Sequence, residues 1–530
     1  MATKQTAFIR DATGLTRELS AWDALMYNVL NMGVAWPVLF IFWAASAYPG
    51  VDMPLTILIG LVPNLIIAFL FYYLSVAFPR TGGDYVWVSR LVHPALGFME
   101  TFGIVVFWLS FAGPVDGWFM TYGVSTMFRN LAIATGNQAY VGYATAALSQ
   151  SSILISSLLV LAAVLLAAAF GLRNAFKFQW ATFIIMMIGI VIFLGALATS
   201  SPTTFQTNFN QLSGANYDSL INSASNAGFV IDFTLAGTMI GTFYSFVNYI
   251  GFELSAYVGG EVKQAQRSQL IGIVGSIFVF AFITVLMFGL PYPIMGVHFL
   301  NSVWQLAATG NAAYTLPSPP VTSYLVIFAN PSPIVAIGMP LAIMACVLGS
   351  QETVTLMAIR MLFSWSFDGV APARLADLSE RTRTPNYALA VVGIVSLVYI
   401  LIANFAANVL TFLAYSTSGI YLSVAVVGLA GLLLPYKHKE FFTTAPAVVQ
   451  RKLAGIPVIA LLGGATFIIG VVVSVIAASP IFTGAPINPY YIAGIAGVFI
   501  TGLVLYELSV LYHRNKGFDL SLRFKQIPPE

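Results

Sequence analysis

Apolar runs of about twenty residues recur along this 530-residue chain, separated by short polar stretches. A helix crossing the roughly 30 Å hydrocarbon core of a bilayer needs about 20 mostly apolar residues. The runs fall near 22–47, 53–78, 97–124, 151–170, 178–198, 232–258, 270–292, 333–363, 386–405, 410–433, 455–478 and 490–512. Twelve such spans predict an all-α polytopic membrane protein. Composition agrees, with 8% of residues charged and 59% hydrophobic; soluble domains carry about 25% charged residues. Soluble enzymes, coiled coils, disordered chains and disulfide scaffolds are thereby excluded. A net charge of +3 gives no footprint for nucleic acid. The single cysteine, Cys346, has apolar neighbours, which predicts a buried thiol and no disulfide-linked partner.

Residues before Trp22 include Lys4, Arg10 and Arg17 but no apolar run, so no cleavable signal is expected and the first span is read as retained. With the N-terminus placed in the cytoplasm, the alternation of twelve spans puts every lysine and arginine except Arg129 on the cytoplasmic side. This is the positive-inside pattern, and it predicts a multi-pass protein of the cell membrane with both termini cytoplasmic. The expected organisation is a cytoplasmic segment 1–21, a first five-helix set 22–198, an extracellular loop 199–231, a second five-helix set 232–433, two further spans within 455–512 and a cytoplasmic tail 513–530. The runs at 22–47, 232–258 and 333–363 exceed a straight crossing, which calls for tilting, kinking or a break. The connections 199–231 and 293–329 are long enough to hold extra short helices.

Two spans carry helix-breaking residues at depth. Span one reads Asn28-Val-Leu-Asn31-Met-Gly33-Val-Ala-Trp36-Pro37, and span six reads Tyr244-Ser-Phe-Val-Asn248-Tyr249-Ile-Gly251-Phe252-Glu253. Unpaired backbone in hydrocarbon costs several kcal/mol per group unless it lines a cavity or finds protein partners. Free N–H groups at a break attract a carboxylate, and free C=O groups attract an ammonium or a sodium ion. Spans one and six open two successive sets of five, and matching interruptions in two halves point to a midplane site in an inverted-repeat transporter.

Four short motifs then resemble the amino acid–polyamine–organocation superfamily. Phe78-Pro79-Arg80-Thr-Gly82-Gly83-Asp84-Tyr85 looks like its span-two exit motif. Gly251-Phe252-Glu253 followed by Glu261-Val262-Lys263 is similar to its span-six motif. Arg360-Met361-Leu362-Phe363 with Asp368-Gly369-Val370-Ala371-Pro372 resembles the end of span eight, and Thr384-Pro385-Asn386-Tyr387-Ala388 the start of span nine. The matches stay in register from about residue 20 to 430. The resemblance implies a five-plus-five inverted repeat with broken helices one and six, two peripheral helices and alternating access. Carried over by position, it implies that backbone near Met32, Gly33, Val34 and Ala35 meets a carboxylate. It further implies that carbonyls of Asn248, Tyr249 and Ile250, beside Gly251, meet an amino group, with Phe252 gating the site. The chain departs from the family pattern in span one, where Asn31-Met32-Gly33-Val34-Ala35-Trp36 replaces the usual Gly-Ser-Gly-Ile-Phe. It also has Met186 where some proton-coupled members place a lysine, which argues against lysine-based coupling.

Asp116, Glu253 and Glu352 fall within spans three, six and eight. A buried acid costs about 3 kcal/mol at the bilayer centre and normally faces the bundle interior. Each is read either as a protonatable coupling site or as a structural acid. Glu253 reads first as a brace between helices, and Asp116, after Gly113-Pro114, as a partner for a kinked backbone. Glu352 lies among Ser350, Gln351, Thr353 and Thr355, a set whose oxygens also suit sodium. Asp23 and Asp232, at the starts of spans one and six, are expected helix caps. Arg80, Asp84, Arg90, Glu261, Lys263 and Arg267 are candidates for ion pairs closing a cytoplasmic gate.

The four histidines, His93, His298, His438 and His513, form no metal-spaced motif, and no P-loop occurs. No enzymatic activity, metal or cofactor is expected. The reading is a secondary transporter for a neutral or broad range of amino acids, with proton symport leading and sodium symport or exchange behind it. A polyamine transporter or amino acid/polyamine exchanger is the alternative within transport, and a nutrient-sensing transceptor the alternative outside it. The expected partners are the amino acid, the coupling ion and membrane lipid.

Overall fold

The computed structural model describes residues 14–405, 409–480 and 486–528. Lys4 and Arg10 therefore lie outside the described residues. Among the described residues eleven helices are long and apolar enough to cross a membrane. They match spans one to five and seven to twelve. Span six supplies the twelfth crossing in pieces, Leu235–Gly241 and Tyr244–Tyr249, followed by the short 3₁₀ turns Leu254–Ala256 and Gly259–Glu261. No piece of it approaches a full crossing, because the chain unwinds at Ile250 and does not regain α geometry.

Span one is likewise two helices, Ala21–Met32 and Pro37–Ala47, flanking a turn at 33–36. The other long run, span eight, is unbroken: Pro333–Phe367 continues through Pro340 for 35 residues. Its excess length extends toward the face that carries both described ends of the chain, hereafter the termini face.

Span three ends later than its apolar run suggests. Helix Pro94–Ser110 bends into Ala112–Trp118, passes through a π turn at Phe119–Val124 and runs on through Ser125–Thr135. The polar residues after 124 do not stop it, because their side chains find partners on neighbours. Ser125 donates to the Ala144 carbonyl (2.9 Å) and Asn130 to that of Ser323 (2.9 Å). Span seven similarly begins at Ala265 and ends at Met295.

The two long connections hold short helices as expected: Pro202–Leu212 and Tyr217–Asn226 in the first, Val297–Ala308 and Thr322–Ala329 in the second. A two-residue hairpin, Lys452–Leu453 against Ile456–Pro457, joins spans ten and eleven.

The two expected caps need correction. In span one Ser20 is the cap and Asp23 reciprocates, accepting from the Ser20 amide (2.8 Å), while Ser20 accepts from the Asp23 amide (3.2 Å). In span six the cap is Thr234, which accepts from Gly237 (3.0 Å). Asp232 lies before that helix and pairs instead with His298 at 2.7 Å.

Candidate functional site

Both interruptions leave backbone groups without partners. At the first, Gly33 adopts φ 69° and ψ 73°, and its amide closes on Val29 (3.0 Å). Only a residue without a Cβ sits easily there. A Cβ on Gly33 would also lie 2.0 Å from the Trp36 ring. The Trp36 amide turns back to the Gly33 carbonyl (2.9 Å), and Pro37 starts the second half-helix. Among the described residues the buried amides of Val34 and Val38 find no hydrogen-bond partner. The backbone of Ala35 approaches the sulfur of Cys346 in span eight. This thiol is buried, as expected.

At the second interruption Ile250 is extended (φ −58°, ψ 135°) and Gly251 takes φ 105°. The Gly251 amide donates to Glu253 Oε2 (3.0 Å), so Glu253 ties down the unwound turn from within its own span. The carbonyls of Asn248, Tyr249 and Ile250 have no hydrogen-bond partner among the described residues. The segment is held from outside: Tyr421 donates to the Phe246 carbonyl (2.9 Å) and Tyr249 to that of Ile57 (3.0 Å).

Two asparagines of span one divide the work between them. Asn28 is a structural pin. It accepts from the Ser255 amide (2.8 Å) and donates to Ser255 Oγ (3.0 Å) and the Gly272 carbonyl (2.9 Å), joining spans one, six and seven. Asn31 faces the gap. Its oxygen accepts from Thr353 Oγ1 (2.7 Å), while its buried amide nitrogen has no partner and lies against Gly251. Tyr27 adds a second tie from span one to span eight, donating to the Thr353 carbonyl (2.7 Å). Thr353 thus couples to span one, next to the break.

The acids separate by environment. Both carboxyl oxygens of Glu352 are buried without a partner, as is Oδ1 of Asp116. Among the described residues Asp116 shows no hydrogen bond to the backbone around Pro114; beside it Gly113 lies close against the Tyr399 carbonyl of span nine, an approach that a Cβ would block. A third unpartnered acid, Glu100 in span three, was not singled out from the sequence. It follows Met99 in the apolar run, and its isolation in that run is the signal that marks it.

On the side away from the termini, aromatic rings roof the first break. Trp36, Phe40 and Trp43 of span one meet Trp118 and Tyr122 of span three, with ring centroids 5.3–6.4 Å apart, and Phe40 meets Tyr244 of span six at 5.9 Å. The sequence carried this signal as the i, i+4, i+7 spacing of Trp36, Phe40 and Trp43 on one helical face. Phe252 lies on the other side of the break and packs edge-to-face on Phe71 (6.1 Å).

The termini face is closed by buried pairs. Arg360 makes two bonds to Glu261 (2.6 and 3.0 Å), and Arg90 two to Asp368 (2.6 and 2.8 Å). Glu261 and Arg90 come from the expected gate set, but their partners sit in and just after span eight. Among the described residues Asp84 has no ion-pair partner; it accepts from the Tyr257 hydroxyl (2.8 Å). Burial pushes its carboxyl up to about 7 against the pull of that bond. Arg80 reaches the tail, donating to the Pro528 carbonyl (2.8 Å). Outside the Arg360–Glu261 pair opens a vestibule of about 720 Å³ between spans one, five, six and eight.

The sequence model of the amino acid permease family matches residues 24–518. The chain belongs to that family. Among curated relatives, the permease is 24% identical over 363 residues to the branched-chain amino acid permease BcaP of Lactococcus lactis subsp. cremoris, covering 66% of this chain and 69% of that one. A shorter match, 26% identical over 102 residues, is to uncharacterized protein 399 of Sulfolobus islandicus rod-shaped virus 1, covering 19% of this chain and 25% of that one. Among solved structures the permease fold matches that of MhsT, crystallised with L-phenylalanine, at a TM-score of 0.55 and 14% identity over 87% of this chain and 99% of that one. The five-plus-five architecture with interrupted helices one and six is therefore the fold of this permease.

Proposed function

We propose that this permease moves neutral amino acids across the cell membrane by alternating access, with the substrate held between the two helix breaks. One observation carries the reading: unpartnered amides at Val34 and Val38 stand in one break and unpartnered carbonyls at Asn248, Tyr249 and Ile250 in the other. A zwitterion satisfies both sets at once, its carboxylate on the N–H side and its ammonium on the C=O side. In this assignment Met32, Gly33, Val34 and Ala35 form the carboxylate wall. Asn248, Tyr249, Ile250, Gly251 and Phe252 form the amino wall, and Asn31 contributes its free amide. The branched-chain specificity of BcaP and the phenylalanine bound to MhsT are consistent with an amino acid as cargo.

The termini face is taken as cytoplasmic, since all lysines and arginines but Arg129 belong there in the twelve-span alternation. The vestibule is then the inner exit. Its walls carry Arg173, Lys177, Lys263, Arg360, Arg381 and Arg383 against Glu18, Asp23 and Glu261. That excess of positive charge disfavours a polyamine passing through it. The aromatic roof seals the outer side and the Arg360–Glu261 pair the inner one, an occluded arrangement leaning toward the cytoplasm. Proton coupling is assigned to the unpartnered Glu352, with Asp116, Glu253 and Thr353 as the further members of the coupling set.

Uptake into proteoliposomes of labelled neutral amino acids and putrescine, with imposed proton or sodium gradients, tests the reading. Gradient-driven accumulation of a neutral amino acid is expected; accumulation of putrescine alone would replace it with the polyamine reading.

A further inference from the structure

A second cavity lies outside the helix bundle proper. It is a groove of about 1120 Å³ on the lateral surface between spans four and nine, larger than the 300–1,000 Å³ of ordinary small-molecule sites. Its walls are apolar: Leu161 to Ala169 on one side and Leu389 to Leu397 on the other. These faces meet hydrocarbon in the membrane, so an acyl chain is the occupant that their chemistry admits.

The end of the groove at the termini face changes character. Asn174, Ser379, Arg381, Thr382 and Asn386 replace the aliphatic lining there. Arg381 is exposed, and its guanidinium has no ion-pair or hydrogen-bond partner among the described residues. The wall behind it is fixed. The Thr384 hydroxyl donates to the Ala168 carbonyl at the end of span four (3.2 Å), and the Ser379 and Arg383 amides close a turn on Thr384 and Ser379 (3.0 and 2.9 Å). An apolar trough ending in a fixed polar rim with one unpaired arginine complements an amphiphile with an anionic head. Two other apolar occupants, a sterol-like molecule and a second copy of this chain, leave that arginine unused.

We infer that this groove is a binding site for an anionic phospholipid of the leaflet at the termini face, its tails along spans four and nine and its phosphate on Arg381. The site is independent of the proposed amino acid cargo; only the naming of the leaflet as cytoplasmic rests on that reading. Arg381, Thr382 and Phe170 line both this groove and the vestibule. A bound headgroup therefore lowers the positive charge at the vestibule's rim.

The test is native mass spectrometry of the full-length permease in detergent with equimolar phosphatidylglycerol and phosphatidylcholine. The wild type is expected to retain phosphatidylglycerol over phosphatidylcholine by about fivefold, the effect of one cationic side chain on an anionic headgroup. Arg381→Gln should level the two, and Ala390→Trp, which fills the trough, should reduce adducts of both while the melting temperature is kept. Equal retention of the two lipids by the wild type would overturn the proposal. So would an unchanged preference in Arg381→Gln, or a dimer without lipid adducts.

Discussion

The free carboxamide nitrogen of Asn31 lies 2.0 Å from where a Cβ on Gly251 would stand, so the two interrupted helices touch through a position that admits no side chain. Gly251 also holds φ 105°, a conformation that L side chains rarely adopt. Steric and torsional demands coincide on one residue, and it sits on the substrate wall proposed above. Gly251→Ala should cost about 1–3 kcal/mol of stability, the usual magnitude of such backbone strain. It should lower amino acid uptake more than tenfold, because Asn31 or the turn must move. Melting in detergent and uptake by proteoliposomes report the two effects separately.

The Arg360–Glu261 pair closes the vestibule with both side chains about 3% exposed. Removing one partner of a buried pair typically costs 3–5 kcal/mol, because the other is left charged and unpaired, whereas replacing both is often neutral. Arg360→Met should lower the melting temperature sharply, and the double variant Glu261→Gln/Arg360→Met should restore most of it. Thermal melting of the three proteins side by side checks this; a double variant as unstable as the single would refute it.

Asp84 gives a pH dependence with a definite sign. Its carboxyl is raised by burial from 3.8 to about 7 in the folded protein. Across that interval the folded state keeps a proton that the unfolded state has released. Its contribution therefore makes stability fall as pH rises from about 4 to about 7 and level off above. Asp84→Asn keeps an acceptor for Tyr257 and should flatten this slope. Melting temperatures of both proteins at intervals between pH 5 and 8 provide the check.

Glu352, like Glu100, has no hydrogen-bond partner on either carboxyl oxygen among the described residues, and of the two it is the one that adjoins Thr353 beside the first break. If it carries the coupled proton, Glu352→Gln should leave amino acid exchange between equal pools intact while abolishing accumulation driven by an imposed pH gradient. Retained gradient-driven accumulation would relieve Glu352 of that role.

Much of this architecture was legible in the chain because the bilayer limits what an apolar run can do. Twelve spans follow from length and hydropathy alone, eleven of which are long helices among the described residues, and the interruptions follow from Gly33-Val-Ala-Trp36-Pro37 and Ile250-Gly251, where local chemistry disfavours a continuous helix. Span six shows the limit of that reasoning. The run 232–258 is apolar enough for one helix, yet only Leu235–Gly241 and Tyr244–Tyr249 are α-helical, and beyond them Ile250 is extended and Gly251 holds φ 105°. The end of span three departs from its apolar run for a different reason. Ser125 and Asn130 read as a polar exit until their partners on Ala144 and Ser323, remote in sequence, are known.

The gate shows the same division. Arg90 and Glu261 are marked by their charge, but their pairing with Asp368 and Arg360 at the end of span eight is set by tertiary packing, which no periodicity discloses. The asparagines of span one, three residues apart below the break, look equivalent in sequence. Tertiary contacts make Asn28 a pin to Ser255 and Gly272 and leave Asn31 facing the gap.

Equilibrium binding of a neutral amino acid to the purified permease, compared with Gly33→Leu and Gly251→Leu, bears most directly on the central claim. The account predicts saturable binding by the wild type and none by either variant, with both variants still monodisperse and cooperatively melting. Wild-type affinity in both variants would contradict it, for the cargo would then be held somewhere other than the two bared backbone turns.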